Sequence, residues 1–303
     1  MSHGDMEKIE TARLSAMMGS YPKTAPLKDA TLTSPLLRLD FAPIEVAQKG
    51  FKDVVRGVKF DVAELAIITF LQAFEAGKPY RLLPFVMNGG FHHKSIVCRS
   101  DDSLAPSQLA GKRVAMRAYT QTTPTWVRGI LCDDYGVSLP DVRWLNQEGA
   151  HVEGYEEPQW VTRIESQLSL EQMLRAGEVD AIIAGGGLSG GPGIRPLIDN
   201  PREAALEWHR RTGVVPINHV VTIRAEIAEQ RPDLVREVYR LLIDARKASG
   251  QMAPGDGPDL QPFGFEPMRA SLEMAVRYAH EQKLISRRYA LDELYGSVAA
   301  ALA

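Results

Sequence analysis

Three short stretches of this 303-residue chain carry side chains suited to proton transfer. His92 and His93, followed by Lys94, stand just before the apolar run 95–99, and His219, beside Asn218, begins the apolar run 219–224. An imidazole titrates near neutrality, so each histidine can take or give a proton. Successive residues of a strand point to opposite faces, so at most one of His92 and His93 reaches a given cleft if both are extended. The bland alternatives are a packing or surface histidine at 92 and 93, and a core histidine bonded to backbone at 219. Glu64 ends an otherwise apolar strand, where it can orient a histidine or accept a proton; a carboxylate at a helix start is the ordinary alternative.

Anion-holding groups lie elsewhere. Tyr119, Thr120, Gln121, Thr122 and Thr123 form the most polar stretch ahead of a helix, with Thr123 as the expected N-cap and Pro124 at the first helical position. Backbone N–H groups and hydroxyls there can hold a carboxylate with help from the helix dipole, although capping alone needs only Thr123. Lys23, Lys94 and Arg128 are the candidate cations; a solvated lysine and a structural ion pair at Arg128 are the competing explanations. His92, His93, His219 and Glu64 match no compact metal signature, so no metal site is expected, with a divalent ion left as an alternative. His3, His151, His209 and His280 read as structural or solvated. Gly185, Gly187 and Gly190 satisfy G-x-G-x-x-G after a strand, but Pro192, Gly193 and Pro196 oppose the helix that a dinucleotide site requires.

The elements that must position these groups alternate between short apolar runs and helical patterns, which predicts an α/β architecture. Strands are expected at 14–18, 60–65, 82–86, 95–99, 111–116, 142–145, 179–184 and 214–224, the last interrupted by Pro216, Asn218 and His219. Ala47, Phe51, Val54 and Val55 share a helical face. Helices are expected at 66–76, 103–109, 123–136, 169–177, 232–249 and 267–284. This order predicts two lobes with the chain crossing between them twice: residues 1–100 and 219–303 in one, 103–215 in the other. A cleft between such lobes is lined by strand ends and helix N-termini, where small anions bind readily.

Composition narrows the classes. Hydrophobic residues are 45% and charged residues 24%, as in ordinary globular proteins. A net charge of −3, from 35 basic and 38 acidic residues, gives no global attraction to nucleic acid or to an anionic membrane. Two cysteines, Cys98 and Cys132, cannot form a disulfide framework and suit a reducing compartment. Residues 1–20 carry Asp5, Glu7, Glu10 and Arg13 among their charges and no signal-like apolar run, and residues 65–74 are broken by Thr69 and Gln72, so a cytoplasmic location is expected.

With these segments placed, the chain resembles the 4,5-dihydroxyphthalate decarboxylase family over nearly its whole length. The resemblance is carried by Phe60-Asp61-Val62-Ala63-Glu64, Gly111-Lys112-Arg113-Val114, Trp126-Val127-Arg128-Gly129-Ile130-Leu131 and Asp134-Tyr135-Gly136-Val137. Arg211-Thr212-Gly213, Pro216-Ile217-Asn218-His219, Phe263-Gly264-Phe265-Glu266-Pro267 and Ala279-His280-Glu281-Gln282 continue it. The chain departs from the family at Phe91-His92-His93-Lys94, where the family carries Phe-Arg-His-Ser, and in the runs Tyr21–Thr24 and Arg117–Thr122.

The resemblance implies a two-lobed type II periplasmic-binding-protein-like fold and a carboxy-lyase that needs no organic cofactor. The implied reaction is decarboxylation of a hydroxylated aromatic acid in aromatic-compound catabolism. His93, at the family position, and His219 would manage protons with Glu64. Lys23, His92, Lys94, Arg128 and the Tyr119–Thr123 run would hold carboxylate and hydroxyl groups. The expected partner is a small aromatic carboxylate, with a homo-oligomer open. The same fold also serves the alternative, a non-catalytic binding protein for a small carboxylate.

Overall fold

The apolar runs become strands of two separate sheets. The computed structural model describes residues 11–184, 191–252, 255 and 257–303; Gly185, Gly187, Gly190 and His3 lie outside the described residues. β1 (Ala12–Met17), β2 (Leu37–Phe41), β3 (Val62–Ala66) and β4 (Tyr80–Gly89) come first. β5 (Ile96–Arg99), β6 (Arg113–Ala118), β7 (Arg143–Glu148), β8 (Val161–Arg163), β9 (Ala181–Ile183) and β10 (Ile194–Pro196) follow, and β11 (Ile217–Arg224) is the last strand described. The first sheet has the order β2-β1-β3-β11-β4 and the second β10-β5-β9-β6-β7-β8. The chain therefore leaves the first sheet between β4 and β5 and returns between β10 and β11.

β3 shows why the sheet takes this form. Val-Ala-Glu-Leu-Ala is buried at every position, as expected for a central strand covered on both faces. On one face the helices Ile67–Glu75 and Phe265–Glu281 cover Ala63 and Leu65; on the other, Pro232–Ala248 packs over Val62 and Leu83. In the second lobe, Thr122–Tyr135 covers Val114 and Met116 while Leu170–Arg175 covers Ala115 and Ile182. A single apolar cluster runs from Phe70 and Leu71 of the first lobe to Trp126, Ile130 and Trp144 of the second.

Several boundaries differ from expectation. β5, expected with the first lobe, pairs with β9 and β10 of the second sheet, so sheet membership changes before Ile96 and not near residue 100. The run 103–109 makes only a 3-10 turn at Pro106–Gln108. The helix expected to be capped by Thr123 begins at Thr122 with Gln121 in the cap position, and no side chain closes the cap. Its end is as expected: Gly136 takes φ +66, the left-handed conformation that glycine adopts without penalty. Ser169 does cap its helix, accepting from the Gln172 backbone N–H while the Gln172 side chain bonds back.

The helix Phe265–Glu281, grouped by sequence with the first lobe, is also fastened to the second. Arg277 and Tyr278 both bond Asp133, the tyrosine Oη at 2.7 Å, and Gln282 receives Arg128 at 2.7 Å. The ring of Tyr278 lies against Gly129, where a Cβ would collide with it. Tyr278 is fully buried and tied by its hydroxyl, so the ring has nowhere to go. Gly129→Ala gains helix propensity of about 0.5–1 kcal/mol, but overpacking costs roughly 1–3 kcal/mol or more. The expected outcome is net destabilisation, read as a lower urea midpoint with an unchanged m-value.

Candidate active site

At the C-terminal edge of the first sheet, one buried carboxylate organises its neighbours. β11 runs antiparallel to β3 with His219 opposite Ala66 and Val221 opposite Glu64. Residues two apart in a strand share a face, so Glu64 and His219 meet diagonally across the pair. His219 Nδ1 lies 2.6 Å from Glu64 Oε1. Tyr21 Oη donates to the same oxygen at 2.8 Å, and the Gly19 N–H donates to Oε2 at 2.9 Å. Glu64 has no solvent exposure. A carboxylate accepting at Nδ1 places the imidazole proton there and leaves Nε2 as the basic nitrogen. The Gln48 amide nitrogen approaches Nε2 at 3.5 Å, and Phe51 presents its ring edge-on to the imidazole at 5.4 Å. His219 thus bonds a carboxylate and not the backbone. Burial and the Glu64 charge push the Tyr21 phenol well above its usual range, so it stays a donor.

Lys23 sits beside this cluster, 4% exposed, with Nζ 2.5 Å from the Gln261 side-chain oxygen. Burial pulls its pKa down to about 8, against the opposing attraction of Glu64 and with the help of Arg246. From the second lobe, Thr120 and Thr122 are buried at the start of the helix Thr122–Tyr135. Thr122 Oγ1 accepts from the Ile68 N–H at 3.4 Å, tying that helix start to the one following β3. Gln121 turns back toward the end of β6, its Oε1 accepting from the Ala118 N–H at 3.3 Å, and Thr123 is half-buried.

The remaining candidates lie apart from the dyad. His92 and His93 are not extended: they open a 3-10 turn, and both are buried. His92 Nε2 lies 2.6 Å from Asn218 Oδ1, on the other face of β11 from His219. His93 stands edge-on to Trp208 at 5.8 Å with neither ring nitrogen partnered. Burial lowers both histidines to about 4, with the Asn218 bond opposing the shift at His92. Lys94 is exposed on the wall of a cavity of about 750 Å³. Tyr119 and Arg128 are wholly buried against each other, the guanidinium 3.8 Å above the ring, with Arg128 also donating to the Tyr119 carbonyl and Gln282. No carboxylate among the described residues pairs with Arg128, so the expected structural ion pair is replaced by stacking and neutral acceptors.

Tyr21, Gln48 and Gln261 were not foreseen at the site. Only Tyr21 had a signal, its position in the polar turn after β1. His151, read as structural, bonds Thr69 at 3.1 Å and packs edge-on against Phe51, which also contacts His219. Among the described residues no group of three or more histidine, cysteine, aspartate or glutamate side chains is placed to hold a metal ion. Nor is any described helix long and apolar enough to cross a membrane.

Two sheets joined by two crossings, with a buried dyad at the strand ends, define the two-lobed type II periplasmic-binding-protein-like class. Solved structures of that class align over most of the chain. The sulfonate-binding protein SsuA from Escherichia coli gives a TM-score of 0.58 at 14% identity, covering 94% of this chain and 92% of that one. The desulfurization enzyme DSZB gives 0.57 at 17%, covering 96% and 99%. No family model matches the chain. The 4,5-dihydroxyphthalate decarboxylase of Comamonas testosteroni is 29% identical over 250 residues, 75% of this chain and 72% of the relative. That of Pseudomonas putida is 30% identical over 220 residues, 65% and 81%. The chain belongs to the 4,5-dihydroxyphthalate decarboxylase family, which places it among the carboxy-lyases.

The buried histidines set an acid limit on the fold. His93 titrates near 4 when folded and near 6.5 when unfolded. The unfolded chain therefore binds more protons between those values, and the stability present above pH 6.5 is lost as pH falls toward 4. Urea midpoints of the wild type should fall more steeply from pH 7 to 4.5 than those of His93→Phe. Equal slopes would show that His93 does not contribute.

Proposed function

We propose that this protein decarboxylates a hydroxylated aromatic carboxylate without an organic cofactor. The observation that carries the reading is the His219–Glu64 pair, with Nδ1 held and Nε2 left basic, in a chain of a decarboxylase family. In this reaction His219 Nε2 takes the phenolic proton, and Glu64 stabilises the imidazolium that forms. The phenolate electrons move into the ring, and the imidazolium protonates the carbon bearing the carboxylate. That carbon–carboxylate bond then breaks, carbon dioxide leaves, and its electron pair restores the aromatic ring as a phenolate that takes up a solvent proton. Lys23, charged below about pH 8, is the clamp for a ring carboxylate, and Thr120 and Thr122 offer hydroxyls from the facing lobe. A fixed cation of this kind contributes about 1.5–3 kcal/mol through a charge-assisted bond.

Incubation of pure protein with 4,5-dihydroxyphthalate and related phenolic acids should release carbon dioxide. His219→Ala should lower kcat by roughly 10²–10⁴-fold, the range for a positioned acid or base. Glu64→Gln should lower kcat with little change in KM. No release across the panel, with and without divalent metal, would remove the enzymatic reading; tight binding without turnover would instead favour a small-carboxylate binding protein in a cytoplasmic or other setting.

A further inference from the structure

Glu64 holds Nδ1 of His219, and what stands beside Nε2 comes from one short turn. The 3-10 turn Ala47–Lys49 follows β2 and leads into the helix Phe51–Val55. Ala47 and Phe51 are buried. The Lys49 N–H donates to the Val46 carbonyl at 3.0 Å and the Gly50 N–H to that of Ala47 at 2.9 Å, so the backbone between them is fixed. Phe51 sets its ring edge-on to the imidazole at 5.4 Å. Gln48, three residues earlier, brings its amide nitrogen to 3.5 Å from Nε2. Gln48 is exposed, and its side chain makes no other hydrogen bond among the described residues.

Two nitrogens 3.5 Å apart can both reach a single oxygen at ordinary hydrogen-bond distances of about 2.7–3.2 Å. The amide lies too far from Nε2 for a strong bond, so an oxygen arriving there displaces little. An amide N–H donates and takes no proton, which suits it to an oxygen that has just lost one. In the decarboxylation proposed above, the phenolic oxygen is negative twice: when its proton leaves for Nε2, and again when carbon dioxide departs and the electron pair returns through the ring. The imidazolium cannot serve that oxygen throughout, because its Nε2 proton goes to the ring carbon. A second, neutral donor aimed at the same point is what the chemistry lacks, and such a donor acts where charge develops.

We propose that Gln48 is a catalytic residue whose side-chain N–H donates to the phenolate oxygen held at His219 Nε2. The amide keeps the oxygen in place while the proton travels from oxygen to imidazole to carbon, and no atom of Gln48 is transferred. The turn that presents Phe51 to the imidazole thus presents the oxyanion donor as well. The inference deepens the decarboxylase reading and rests on it, since it takes His219 as the group that removes the phenolic proton.

The probe 4-nitrocatechol tests the contact without turnover, because it has a nitro group in place of a carboxylate and its phenolate absorbs visible light. Bound to the wild type on the acid side of its own titration midpoint, it should show the phenolate band. Gln48→Leu removes the donor with little change in length. It should bind the probe about tenfold more weakly and with a smaller ionised fraction. With 4,5-dihydroxyphthalate the same variant should lower kcat by roughly 10²–10³-fold with a smaller change in KM. Position 48 is exposed, so an unchanged thermal midpoint checks that the fold is retained. Wild-type protein that releases carbon dioxide without ionising the probe, or a variant that ionises it as fully as the wild type, would overturn the inference and leave the decarboxylase reading standing. Wild-type protein that does neither would remove that reading and this inference with it.

Discussion

A carboxylate with no access to water must be surrounded by donors, and Glu64 imposes that requirement on the first lobe. Leaving such a charge unpaired costs several kcal/mol in the protein interior. Three donors converge on it: the Gly19 N–H, the Tyr21 hydroxyl and the His219 imidazole. The turn after β1 is shaped to deliver the first two. Thr24 Oγ1 donates to the Gly19 carbonyl at 2.8 Å and accepts from the Tyr21 N–H at 2.9 Å, which holds the turn in place. The antiparallel register of β11 on β3 delivers the third. Sheet order, turn conformation and the crossing back from the second lobe thus meet at a single buried charge.

The same geometry separates an imidazole backed by a carboxylate from two that have none. His219 is buried with a carboxylate at Nδ1 and a Gln48 amide 3.5 Å from Nε2. His92 and His93 lack any such counter-charge, and their surroundings favour the neutral ring far below neutrality. Two histidines adjacent in sequence to a lysine looked equivalent in chemistry to one beside an asparagine. What divides them is whether an acid lies behind the ring, a fact of tertiary structure.

Much of the architecture was legible because central strands and long helices carry their own signals. β3, β6, β9 and β11 are apolar runs, and the helices 122–135 and 232–248 are amphipathic stretches with recognisable starts or stops. The short strands β2, β8 and β10 were not visible. Val161-Thr162-Arg163 has neither an apolar run nor alternation, and it is a strand only because β7 offers it a partner. At the site, Glu64 and His219 were legible as candidates by type and position. Their pairing spans 155 positions, and that of Tyr21 with Glu64 spans 43, distances over which residue type alone carries no information. Tyr119 and Arg128 were legible as candidate carboxylate-holding groups, but polar type could not reveal that they face each other inside the molecule.

Two crossings alone would leave the lobes free to swing like the covers of a book about its spine. Here the covers are riveted along a second line, by Arg128 to Gln282 and by Arg277 and Tyr278 to Asp133. Parting them would uncover a guanidinium that has only neutral acceptors and an aromatic ring for company, together with the apolar surface between Gly129 and Tyr278. Wide gaping is therefore the costly motion. What can shift at least cost is the set of side chains along the flank that these bonds leave free, and not the lobes as whole bodies.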